Sequence, residues 1–293
     1  MAISRAQLAK ELEPGLNALF GLEFGRYENE HSEIYEEESS DRAFEEEVML
    51  GGFSTAPVKS EGGAISFDDA QETYTARYTH ETIALAFSIT EEAIEDNLYD
   101  RLASRYTKAL ARSMATTKQI KAAAILNNAF STGANAIGDG AALCSSSHPS
   151  LSGNQRNLLS TAADLNETSL EQMLIDIAGF TDERGLKIAV RGTKLVIPKE
   201  LQFIAERVLN SNLRSGTADN DNNAMKNMGM LPEGAVVNHY LTDTDAFFIK
   251  TDAPNGFKYF NRAAIKTAME GDFDTGNMRF KARERYSFGV SDW

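Results

Sequence analysis

Cys144 and His148 form the one close pair in this sequence whose residue types could do covalent chemistry. A neighbouring histidine can lower a thiol's pKa and create a nucleophilic thiolate, the basis of a thiol hydrolase. The pair lies four residues apart in the small-residue run Cys144-Ser145-Ser146-Ser147-His148-Pro149, which supplies no third group to orient the imidazole. A structural cysteine is therefore the favoured reading, and a cytosolic thiol hydrolase the remote alternative. His31, His80 and His239 are scattered, without the close spacing of a helical metal pair. Asp219 and Asp221 sit among asparagines but lack the glycine and glutamate spacing of an EF-hand loop. No GxxxxGKS/T, GxGxxG or GxSxG segment occurs. The sequence thus predicts no catalytic residue, no cofactor and no metal site.

The bulk composition points the same way. With 293 residues, 42% hydrophobic and 9% aromatic, the chain can bury one large or two small cores. Its net charge of −14 argues against tight non-specific nucleic-acid binding by the whole surface. A single cysteine excludes an internal disulfide and a thiolate zinc site and fits a reducing compartment. Residues 1–22 read as a short amphipathic stretch rather than a signal peptide, and no run of apolar residues is long enough to span a membrane.

The elements that would carry any function are unusually extended. From Thr90 to Phe130 there is neither glycine nor proline, and Leu98, Leu102, Tyr106, Leu110 and Met114 recur every four residues, followed by Ile120 and Ala124. Such a helix approaches ~60 Å at about 1.5 Å per residue. Ser88 or Thr90 supplies its cap, with Glu91 and Glu92 in the first turn. Arg101, Arg105, Lys108 and Arg112 form a basic stripe along it. Before the helix, Thr73–Ile89 alternates as strands, and Phe53–Phe67, with Gly62-Gly63 at its turn, reads as a polar hairpin. Earlier still, eleven acids between Glu23 and Glu47, Glu36, Glu37 and Glu38 among them, face only Arg26 and Arg42 and read as a solvated loop. A short helix in residues 1–22 should break at Pro14-Gly15.

The second half alternates helices and strands. The pattern predicts a helix over Ser169–Thr181, a turn at Arg184-Gly185, a strand over Lys194–Ile197 and a helix opened by Pro198. A polar loop runs from Asn212 to Asn223, and strands follow at Ala235–Asn238, Ala246–Lys250 and Phe257–Phe260. The last strand places Met278, Phe280, Ala282, Tyr286, Phe288 and Val290 on one face and Arg279, Lys281, Arg283 and Arg285 on the other, with Glu284 out of character. A lone hairpin is marginal in water, and a spine this long exceeds what one compact core needs. Both features imply a subunit completed by neighbours. Glu36, Glu37, Glu38, Lys59, Glu61 and Phe67, with the stripe Arg101, Arg105, Lys108 and Arg112, are the candidate contacts between subunits.

Four segments, in order, resemble the major capsid proteins of tailed bacteriophages with the HK97-type fold. They are FSITEEAIEDN (87–97), LCSSSHPSLSGNQRNLL (143–159), KLVIPKELQFIAERVLNS (194–211) and MRFKARERYSFGVSDW (278–293). The resemblance implies an α+β fold with an N-terminal arm (1–44), an extended β-hairpin loop (45–79), a peripheral domain with a spine helix (80–164), an axial domain (165–240) and return strands (241–293). It implies that Asn212, Arg214, Asp219 and Asp221 lie in a loop pointing toward a capsomer axis. It further implies hexamers and pentamers closing an icosahedral shell around double-stranded DNA, with assembly in the host cytoplasm. A scaffolding protein, separate or cleaved away, a portal and a decoration protein are the implied partners. An encapsulin-type compartment enclosing a cargo enzyme is the alternative that shares the fold.

Overall fold

The computed structural model describes residues 5–90, 92–93, 99–132, 137–214, 221–272 and 274–293. Two long antiparallel strands organise it, β8 (Phe257–Gly271) and β9 (Met278–Val290). The edge strands of their sheet are β1 (Glu36–Ser39), parallel to β8, and β4 (Glu81–Ile89), antiparallel to β9. Sequence reading ends the strand before β9 at Phe260. It continues to Gly271 because every residue of β9 except Glu284 offers it a ladder partner, with irregularities between Asn261 and Lys266.

Alternation sends Phe280, Ala282, Glu284 and Tyr286 of β9 to one buried face. Helix α2 (Tyr99–Asn127) covers that face, and its Leu110, Ala111 and Met114 share a core with Phe280 and Ala282. Its 29 residues span about 44 Å, and residues 94–98 of the expected run lie outside the described residues. Thr90 Oγ1 accepts from the Ala93 amide at 3.4 Å, while Ser88 belongs to β4. Leu98 and Glu91 lie outside the described residues.

The apolar row expected on α2 is only partly its buried face. Tyr106 and Ile120 are 49% and 53% exposed, whereas Ala103, Thr107, Ala111, Ala115, Gln119, Ala122 and Leu126 are buried beside Leu110 and Met114. A strict step of four advances about 40° around a helix of 3.6 residues per turn, so the row winds from solvent into the core. Small residues make the true contact face and let the helix approach the sheet closely.

The break expected at Pro14 does not occur. Helix α1 runs unbroken over Arg5–Phe24, with Pro14 inside it. Proline removes one helical hydrogen bond, but Leu16 and Phe20 are buried under α2 and β9, with Phe20 stacked on Phe24 at 5.8 Å and tilted against Phe280 at 6.5 Å. Tertiary packing outweighs the local defect.

The polar hairpin exists, but its ladder is displaced. Strands β2 (Phe44–Gly51) and β3 (Gln71–Thr79) pair antiparallel, with an irregularity between Val48 and Leu50. The predicted strands at 53–67 are absent: residues 52–70 contain only a turn, closed by Gly63 N–H to Ser60 O at 3.0 Å with Gly62 at φ 75°. Glycine, serine and proline supply too few β-formers there. The acidic stretch is likewise structured rather than a free loop, forming the end of α1, a 3₁₀ turn at Glu30–Glu33, β1 and part of β2.

A second core gathers around strand β5 (Gly192–Ile197), flanked by β6 (Ala235–Val237) and β7 (Phe248–Thr251). Leu170 and Leu174 of α3 (Glu167–Ala178) and Ala205 and Val208 of α4 (Gln202–Asn210) pack on it. The helix begins at Glu167 rather than Ser169, because Asn166 caps it and Ser169 returns the bond in a reciprocal box. A short helix α5 (Ala224–Met228) is capped by Asn223, whose carboxamide is buried and also donates to Val208 O at 2.7 Å.

Glu284, out of pattern in the sequence, is 1% exposed and paired to Lys118 Nζ of α2 at 2.7 Å. Burial raises its carboxyl pKa, and Lys118 opposes that shift. Removing one partner of such a pair typically costs about 3–5 kcal/mol, whereas replacing both with apolar groups is often neutral. Lys118→Met should therefore lower stability by roughly that amount in denaturant titration, and Lys118→Met with Glu284→Leu should recover most of it.

Candidate assembly surfaces

The residues that could do chemistry do not converge. Cys144 packs against the core formed by Tyr35, Leu126 and Val290, and burial pushes its thiol up to about 12. His148 instead bonds Asp139 Oδ2 through Nδ1 at 2.7 Å and stacks on Trp293 at 4.0 Å. His31 meets Gln119 Nε2 at 3.0 Å and lies edge-on to Tyr259 and Phe288. His80 bridges Ser287 and Ser40 at 2.9 Å each, and burial, with Arg285 nearby, lowers its pKa. His239 pairs with Glu30 at 2.8 Å. Among the described residues no three histidine, cysteine or carboxylate side chains gather as a metal site. Burial keeps the Cys144 proton on, and His148 spends its Nδ1 on Asp139, so the two do not form the thiolate pair that their spacing suggested.

What the fold does present is unsatisfied surface. Beyond the β2–β3 ladder the hairpin projects Val58, Phe67 and Ile65, which are 99%, 96% and 70% exposed, and Lys59 and Glu61 flank its turn. On α2, Arg105, Lys108 and Arg112 are exposed, and the Arg101 side chain lies outside the described residues. Lys108 and Arg112 line a groove with Glu23, Tyr27, Thr116 and Ile120. The candidate contact acids Glu36, Glu37 and Glu38 are partly engaged in their own subunit. Glu38 pairs with Lys258 at 3.1 Å, and Glu37 accepts from Asn261 at 3.2 Å, while Glu36 is exposed. In the polar loop, Asn212 accepts from Lys226 at 2.6 Å and Arg214 pairs with Glu167 at 3.0 Å. The Asp221 carbonyl accepts from the Arg214 amide at 2.9 Å, and Asp219 lies outside the described residues.

Sequence reasoning missed how the hairpin is fastened. Lys258 of β8, buried, reaches both Glu38 of β1 and Glu47 of β2, and Ser291 donates to the same Glu47. Burial alone would lower the Lys258 pKa, and the two carboxylates outweigh it, holding the amine above its usual range. Lys194 repeats the device, bridging Glu33 at 2.8 Å and Glu233 at 2.9 Å. Two glycines seat the hairpin root. A Cβ at Gly289 would lie 2.4 Å from the Tyr78 ring, and one at Gly138 would meet Tyr74 at 2.6 Å and the Thr75 carbonyl at 2.8 Å. The regular Gly-rich spacing that would announce such close approaches is absent from the sequence. Exposed Phe203, Met228 and Ile175 of the second core, 70%, 70% and 65% exposed, were also missed; Phe203-Ile204 in a short amphipathic helix was the available signal.

The arrangement is that of a framework with reaching parts, and comparison with known proteins agrees. A family model described as phage capsid protein matches residues 73–293. The chain belongs to the phage capsid protein family. This capsid protein is thus a structural shell subunit of a phage head, a component of the virion, and its first 72 residues fall outside the family match. No curated protein sequence matches it. Among solved structures, the Bacteriophage JBD30 capsid is similar with a TM-score of 0.55 at 13% identity, over 74% of this chain and 92% of that one. The virus-like particle from Pyrococcus furiosus gives 0.52 at 9% identity over 94% of each chain. The capsid of a native GTA particle gives 0.52 at 13% identity over 91% of this chain and 88% of that one. These likenesses establish the α+β, HK97-type fold of the capsid protein.

Two outcomes follow from the buried groups. The Cys144 thiol should react with a thiol reagent at pH 8 at least about 100-fold more slowly in the native capsid protein than in denaturant, since burial suppresses its thiolate. Asp292, whose carboxyl burial raises to about 6, should make stability fall as pH rises from about 4 to 6. Its folded state holds the proton that the unfolded chain has released, so the benefit is full below the unfolded pKa and is lost above the folded one. The loss is at most about 3 kcal/mol, and Asp292→Asn should flatten that part of a pH-stability curve.

Proposed function

We propose that this capsid protein assembles as hexamers and pentamers that close an icosahedral head around double-stranded DNA. The carrying observation is the hairpin tip, where Val58 and Phe67 stand 99% and 96% exposed with nothing of their own subunit over them. Large apolar groups held away from their own core mark contact surfaces, and repetition by symmetry turns modest contacts into a closed shell. In this reading residues 1–44 are the arm, 45–79 the extended loop, 80–164 the peripheral domain, 165–240 the axial domain and 241–293 the return strands. The tip, with Lys59 and Glu61, reaches a neighbour, as do Glu36, Glu37 and the stripe from Arg101 to Arg112. The loop carrying Asn212, Arg214, Asp219 and Asp221 lines the capsomer axis.

Assembly in the host cytoplasm with a scaffolding protein, a portal and a decoration protein completes the proposal. An encapsulin-type compartment enclosing a cargo enzyme is the alternative reading that shares this fold. Genome-length DNA copurifying with the particles supports a head, and a stoichiometric cargo protein supports the compartment.

Negative-stain microscopy with light scattering tests the assembly. The full-length chain should form closed shells, or rings of five or six where a scaffold is missing. Val58→Ser with Phe67→Ser should abolish or strongly weaken assembly while leaving thermal unfolding of the subunit within about 0.5 kcal/mol, as for surface changes generally. A monodisperse monomer at every concentration and salt would overturn the reading.

A further inference from the structure

The sheet formed by β4, β9 and β8 has two faces, and α2 covers only one. On the other, alternate residues of β9 present Arg279, Lys281, Arg283 and Arg285, and the paired positions of β8 add Lys266 opposite Arg283. The facing positions of β4 are Thr82, Ala84, Ala86 and Ser88, and β8 places Ala268 opposite Lys281. Only small side chains rise between Lys281, Arg283 and Arg285, while Glu270 stands opposite Arg279. Lys266, Lys281 and Arg283 are exposed, and Arg285 is half-buried with its Nε lacking a partner.

This local charge runs against a chain of net charge −14. The acids nearby are few. Asp272 pairs with Arg279 at 2.5 Å, Glu270 lies opposite that same arginine, and Glu45 accepts from Ser40 at 2.6 Å. Among the described residues, Lys266, Lys281, Arg283 and Arg285 have no carboxylate partner. Successive cations on β9 lie about 7 Å apart and neighbouring strands about 4.8 Å apart. They therefore act within one Debye length of each other, ~8 Å at physiological salt, while most of the chain's acids are screened from them.

We propose that this open sheet face, through Lys266, Lys281, Arg283 and Arg285, binds the phosphate backbone of double-stranded DNA without reading its sequence. The inference rests on the head-subunit reading and names the surface that meets the packaged duplex. The composition of the face favours DNA over a second copy of the chain. Protein interfaces centre on aromatic and apolar anchors, and this face has none. Phosphate contact needs only accessible cations on a surface that admits a rod.

The test measures anisotropy of a fluorescein-labelled duplex of about 30 base pairs with the full-length chain between about 50 and 200 mM salt, the range in which phosphate contacts declare themselves. Lys281→Gln with Arg283→Gln should weaken binding about tenfold at the lower salt and reduce the salt slope by about two. Lys187→Gln with Lys199→Gln, two exposed cations outside this sheet and outside the proposed subunit contacts, should change neither, and circular dichroism melting checks that each variant is folded. No binding by the unaltered chain, or equal affinity and slope for the sheet variant, overturns the proposal. If the sheet variant keeps its DNA affinity but no longer assembles, a second copy occupies the face and the proposal also fails. Duplex binding that depends on Lys281 and Arg283 in a chain that never assembles keeps this surface and removes the head-subunit reading.

Discussion

The β8–β9 ladder is the constraint on which the rest of the molecule depends. An antiparallel pair this long satisfies its own backbone but exposes two faces and two edges, each needing its own cover. Helices α1 and α2 take one face, and the hairpin root takes the upper part of the other through Tyr78, Gly289 and Ser291. The edges are closed by β1 and β4. The subunit is thus a plank clad in segments drawn from both ends of the chain.

Buried charge fixes where those segments sit. Lys258, Lys194 and Glu284 each bring an ion into a nearly dry position, where an unpaired charge is costly. Lys258 ties β8 to β1 and β2, Lys194 ties the second core to the turn at Glu33, and Glu284 ties β9 to α2. Apolar contacts tolerate sliding along a long strand, whereas a buried ion pair accepts one register. These pairs therefore act as pins holding an extended, weakly self-covered subunit in one shape.

That shape has a consequence for the family likeness. At 9–13% identity to the solved structures compared, few residues are shared, yet the fold persists. The pattern conserved by physics is the strand alternation and the long helix that caps it. The hairpin tip and the sheet face are surfaces of another kind, because their form is set by what they meet rather than by the core.

The sequence by itself determined the period of each element. Alternation marked β9 and β3–β4, the glycine-free run marked α2, and Pro198 and Arg184-Gly185 marked a helix start and a turn. The resemblance, resting on segments such as 87–97 and 278–293, made the fold class legible. Tertiary structure alone decided the rest, because each remaining choice was a balance between distant residues. Pro14 stays helical because Leu16 and Phe20 find α2 and β9. β8 runs on to Gly271 because β9 lies beside it, and the hairpin ladder forms at 44–51 and 71–79 because its root is clamped by Lys258 and Ser291. Glu284 looks misplaced until Lys118, remote in sequence, arrives from the helix. Periodicity is a local property of the chain, whereas the partner of a buried charge and the cover of an exposed face are not.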